Sequence, residues 1–136
     1  MNRMNEALAF QNVLAPQSVS ASTDTTSAYV DVSGVDEVVF LVSAAALGAG
    51  KSLTVSLMAG SDSAGSDAQE IGKAVFTDSV GTEPQVAVVS YRVSALHGRY
   101  AAVKCQHDGA PAVICGVLAA AAGIYLPAAN GGTLVV

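Results

Sequence analysis

Tryptophan is absent from the 136 residues, and the other aromatics amount to three Phe and four Tyr. Sugar-binding modules display aromatic platforms to stack on sugar rings, so a carbohydrate-binding β-sandwich is a poor reading of this chain. Charge is scarce too. Only 12% of residues are charged, and 11 Asp plus Glu outnumber 6 Lys plus Arg. Nucleic-acid binders need a basic footprint to displace phosphate counterions. Only Arg92, Arg99 and Lys104 lie near one another in sequence, and no contact with nucleic acid is expected. These three cations read either as a solvated strand face or as a docking patch for an acidic protein partner.

No hydrophobic run is long enough to span a bilayer. The longest, Ala110 to Ala122, falls short of the roughly 20 residues a spanning helix needs. At the N-terminus, Asn5, Glu6, Gln11 and Asn12 interrupt any apolar core of a signal peptide. No membrane partner is expected, and the chain reads as made in a cytoplasm-like compartment. The strong helix formers Glu, Lys, Gln and Arg are few, whereas Val, Ala, Ser, Thr and Gly dominate. That balance favours strands and tight loops in a single domain.

Strand signals recur along the chain. Ala28–Val32 alternates apolar with polar and ends at Ser33-Gly34; Val38–Ala46 reads as a central, well-covered strand. Gly48-Ala49-Gly50 turns the chain into an alternating run in which Leu53, Val55 and Leu57 share one face, so these two strands are expected to form a hairpin. Ser61–Glu70 reads as a polar surface loop, and Ile71–Phe76 as a short strand. Three more strands are placed around Val86–Val93, Tyr100–His107 and Ala112–Ala121, the last two as a hairpin closing at Asp108–Pro111. Cys105 and Cys115 flank that turn, near enough for a bridge to be conceivable, but in a reducing compartment free buried thiols are expected.

The last strand is apolar on both faces, with Ile114 and Leu118 on one and Val113, Cys115 and Val117 on the other. Such a strand has to be covered on both sides. One face can fill a sandwich, and the other is left for a second copy or another protein. The expected architecture is all-β: a single-domain β-sandwich of jelly-roll type over 18–122, with extended arms at 1–17 and 123–136. Ala7–Leu14 allows a helical turn or two ended by Pro16. At the other end, Leu134 and Val135 follow a Gly-Gly spacer and suit addition to a partner's sheet or folding back on the body.

Motifs of chemistry are weak. Ala45–Ser52 ends like a phosphate-binding loop but lacks the first glycine, and alternation rather than a helix follows Lys51. Cys105 and His107 share a strand face by period-two geometry and Cys115 could face them, with His97 as a further metal-ligating candidate, yet no paired short spacing announces a zinc site. Asp62 and Asp67 lack the dense ligands of a calcium loop. No Gly-x-Ser-x-Gly elbow is present. No catalytic residue, metal or cofactor is expected, and the chain is read as no enzyme.

Val32–Val42 (VSGVDEVVFLV), then Leu53–Leu57 leading to a Ser-Asp loop, Tyr91-Arg92-Val93, Gly98–Val103 (GRYAAV) and the apolar closing strand resemble, in order and spacing over 28–122, the capsid cement or decoration proteins of tailed bacteriophages. The resemblance implies a jelly-roll-like dimer on the outer surface of a virion, with the major capsid protein as partner, tying neighbouring capsomers together. The terminal arms match nothing in that family. Such a protein acts by mass action, binding the assembled shell better than free capsomers, with many weak contacts adding up. The expected contact residues are Phe10 and Leu14 in the first arm, Tyr91, Arg92, Arg99 and Tyr100 around the basic turn, Ile114 and Leu118 on the outer strand face, and Leu134 and Val135 in the tail. Rival readings are a head-completion or tail-tube-associated component of the same kind of particle.

Overall fold

The computed structural model of the chain describes residues 4–21, 24–109, 112–123 and 130. After one helical turn, α1 (Met4–Ala7), the chain is strand: β1 (Leu8–Val19), β2 (Thr25–Thr26), β3 (Val30–Asp31), β4 (Val35–Ala44), β5 (Lys51–Gly60), β6 (Gln69–Asp78), β7 (Gln85–Arg92), β8 (Tyr100–His107) and β9 (Val113–Gly123), with a 3-10 turn at Ala95–His97. One sheet has the order β1-β9-β4-β7. The other runs β2-β8-β5-β6, with β3 also on β8. With β2 and β3 as two halves of one strand, this is the interleaved order of a jelly roll, and all pairings are antiparallel.

That order overturns both hairpins expected from the sequence. β4 and β5 lie in opposite sheets, as do β8 and β9. The turn at Gly48-Ala49-Gly50, with φ of +102° and +73° at its two glycines, carries the chain across the sandwich instead of back along the same sheet. Among the described residues, the consecutive strands that do pair in one sheet are β5 and β6, around the Ser61–Ala68 loop. Period-two alternation marks a strand but is silent on which neighbour it pairs with, so arch and hairpin look alike in sequence.

The first arm is also different. Helix is confined to Met4–Ala7, and Leu8–Val19 is an edge strand paired with β9 from Leu8↔Ala122 to Val19↔Val113. Two register shifts, between Asn12 and Leu14 and between Leu14 and Gln17, absorb Pro16 and blur the alternation; bulges and edges are where a strand tolerates proline. Val13, Leu14 and Val19 are consequently buried in the core.

The core lies between the sheets. Val38, Phe40 and Val42 of β4 and Cys115, Val117 and Ala119 of β9 face Leu53 and Val55 of β5 and Val103 and Cys105 of β8. One side of the sandwich is stitched by main chain, where Ala28, between β2 and β3, donates to the carbonyl of Val13 in β1 of the other sheet at 2.8 Å. Opposite, between β6 and β7, the two sheets stand apart.

Candidate functional site

Because β9 sits between β1 and β4, and β4 between β9 and β7, register places every side chain on the outer face of this sheet. Leu118 is level with Asn12 and Leu41, and Leu41 with Val88. In the next row Phe10, Ala120, Val39 and Ser90 lie side by side; on the other flank Gly116, Ser43 and Val86 do. Directly paired residues share a face. Phe10, Val39, Leu41, Val86, Val88, Ile114 and Leu118 therefore form one apolar surface four strands wide. Phe10, Val86, Val88, Ile114 and Leu118 are each 49–66% exposed on it.

The outer face of the second sheet is its opposite in character. There Ser52, Thr54 and Ser56 of β5 pair with Gln106 and Lys104 of β8 and with Thr77, Val75 and Lys73 of β6; Ser56 is buried, and Val75 is an exposed apolar exception among polar neighbours. Hydroxyls and amines can stay hydrated, whereas exposed Val, Leu, Ile and Phe gain roughly 25 cal/mol for each Å² removed from water. A contiguous apolar patch of this kind marks an interaction face, and among the described residues it lies on the β1-β9-β4-β7 sheet.

The residues singled out from sequence scatter over the molecule. Ile114, Leu118 and Phe10 come together on the apolar face, joined by Val86 and Val88, which sequence reasoning missed because only register reveals that β7 flanks β4. Leu14 and Tyr91 are buried and belong to the core; the Tyr91 hydroxyl accepts from the amide of Ser94 at 3.3 Å. Leu134 and Val135 lie outside the described residues. The three cations do not form a patch. Arg92 is paired in register with Glu37 at one end of the apolar face. Lys104 is on the polar face, 3.6 Å from Asp24. Arg99 grips Asp31 with two bonds of 3.1 and 2.7 Å, and its guanidinium carbon stands 5.5 Å from the centre of the neighbouring Tyr100 ring.

The other candidates are internally occupied. Asp62 accepts from the amides of Ala64 and Ser66 and the Ser66 hydroxyl, and Asp67 from the amides of Ser61 and Asp62 and the Ser61 hydroxyl. Their own loop thereby holds both carboxyls below the usual range. Lys51 opens β5, so no helix follows the Gly48–Gly50 turn. His107 is buried with its Nε2 3.1 Å from the carbonyl of Leu47. Among the described residues, no group of three or more His, Cys, Asp or Glu side chains is placed to hold a metal ion, and no helix is long and apolar enough to cross a membrane.

No protein-family model and no curated protein matches the sequence. Among solved structures the chain is similar to the exported protein XepA of PBSX, with a TM-score of 0.60 and 8% identity, covering 100% of this chain and 44% of XepA. A likeness at that identity is one of fold, and the chain spans less than half of XepA's length.

Proposed function

We propose that this chain is a structural, non-enzymatic component of a phage particle that seats on the outside of the capsid and links neighbouring capsomers. The observation that carries the reading is the apolar outer face of β1-β9-β4-β7, set against a polar face on the other sheet. A protein that lies on a shell needs one side to bury and one to leave in water. The fold shared with XepA, a protein of the phage PBSX, and the resemblance in strand order to decoration proteins support the same reading. Binding to the assembled shell in preference to its free subunits stabilises the shell by mass action, and repetition over the surface multiplies modest contacts. The major capsid protein and a second copy of the chain are the partners, with no cofactor.

Purified protein mixed with empty shells of its own phage and imaged tests the reading. Hundreds of copies per particle are expected, and an I114D/L118D variant that keeps its melting temperature should leave the shells bare. Absence of wild-type protein from intact shells would overturn the assignment. About a dozen copies or fewer, at one vertex, would point to a head-completion or tail component instead.

A further inference from the structure

A jelly roll has open sheet edges, and folded proteins guard such edges with charges, prolines, bulges, short strands or covering segments. Among the described residues, three of the four edges are guarded. β1 carries Pro16 and two register shifts, and the side chain of Asn130 takes the amide of Phe10 at 2.8 Å and the carbonyl of Leu8 at 2.8 Å. β6 has Glu70, Lys73 and Asp78 along it and a register shift against β5. The β2/β3 edge is two pairs of residues.

β7 is guarded only at its ends, by Pro84 just before it and Arg92 at its last position. From Gln85 to Tyr91 it is uncharged and free of proline, and it keeps unbroken register with β4. Among the described residues β4 is its sole strand partner. A cavity of about 280 Å³ between β6 and β7, lined by Val55, Gly72, Phe76, Val88 and Val89 among others, shows that no described segment closes over this side. The apolar face also runs right up to the edge, at Val86 and Val88.

We infer that β7 is a pairing edge for β7 of a second copy, antiparallel about a two-fold axis perpendicular to the sheet. An isologous contact suits an edge that has to satisfy itself. The register follows from geometry. Keeping both apolar faces on one side requires paired residues of equal parity, so the axis passes between the two copies of one residue, and centring on Val88 pairs 86 with 90 and 85 with 91. That register uses the whole uncharged run and leaves the two Arg92 residues at opposite ends. Centring on Val89 would instead set Val86 against Arg92. The product is an eight-stranded sheet whose apolar face is twice as wide as that of one copy.

A strand pair of this length buries on the order of 600 Å², below the roughly 1,200 Å² of a stable interface. The pairing is therefore reversible in solution and tightens when the doubled face is seated on a surface. It stands apart from the capsid reading, because its test contains this chain alone. A self-paired protein that ignores shells would overturn the proposed function and leave the edge contact standing.

Cysteine scanning of the full chain tests it. Paired β-carbons lie about 4.5–5.5 Å apart, within disulfide reach, and both native cysteines are buried. Under mild oxidation at rising protein concentration, V88C should form a disulfide-linked dimer at least tenfold faster than V86C, whose two copies would lie about 13 Å apart along the strand, or than L118C in the middle of the face. V88K should abolish self-association in sedimentation while leaving the melting temperature in place. If V88C links no faster than the other two, or L118C links fastest, the edge pairing is wrong, the second result indicating face-to-face packing.

Discussion

Cys105 of β8 and Cys115 of β9 lie on the inner faces of opposite sheets, both wholly buried, and a charge on Cys115 would be felt at Cys105. Burial, with that neighbour, pushes the Cys105 thiol up to about 12, and burial alone pushes Cys115 up to about 11. Both are thus neutral in the folded protein well above the ordinary thiol range near 8.5. Native protein at pH 8 should react with a thiol reagent only as fast as it unfolds, and denaturant should release both thiols at once.

The same shifts fix an alkaline trend. A thiol held protonated by the fold favours the native state while the unfolded chain is also protonated. That advantage declines as pH rises past about 8.5. Melting temperature should therefore fall between about pH 8.5 and 11, and C105A/C115A, though less stable overall, should show a flatter alkaline limb.

Asp78 ties the two loops that cross the sandwich. Its carboxylate accepts from Gly81 at 2.8 Å, Leu47 at 3.1 Å and Val80 at 3.2 Å, and its carbonyl from Gly50 at 2.8 Å. These bonds, Gly81 first, hold its carboxyl below the usual range. A lowered carboxyl pKa gives stability that is full above the unfolded value near 3.9 and is lost as pH falls below it. Thermal melts should show that loss below about pH 4, and D78A should lower the melting temperature at pH 7 while weakening the acid dependence.

Gly81 has a φ of +84°, and a β-carbon there would lie 2.2 Å from the amide nitrogen of Ala49 in the neighbouring crossover. Strain and clash coincide at one position. Denaturant titration of G81A should show a loss of about 1–3 kcal/mol, whereas G34A, with positive φ but open space around it, should lose less.

The Arg99–Asp31 pair is well formed but exposed on both sides, and solvent screening leaves such pairs with little net worth. R99A should hardly move the melting temperature at moderate salt.

Strands were legible wherever alternation was clean. Runs such as Leu53–Leu57 and Val113–Leu118 announced both their state and their faces, and Ile114 with Leu118 was readable as an outward pair. Pairing was not legible. The glycine turn after Ala44 fits a hairpin and an arch equally well, and nothing local says that Val88 stands beside Leu41. Half of the apolar face was hidden for that reason. β1 escaped because Leu8–Leu14 is permissive for helix and Pro16 reads as a stop, while the energy that makes it a strand comes from β9, about a hundred residues away.

That distance has a consequence for how the chain is made. β9, the last of the described strands to leave the ribosome, is inserted between β1 and β4. Until synthesis has passed Gly123, β1 has no partner in its sheet and β4 has only β7. Closure of this sheet waits for β9, with contacts of long sequence separation closing late and slowly. A chain cut short anywhere in this final strand would lack the keystone of that sheet, and the outcome would be an unfolded polypeptide rather than a weakened jelly roll.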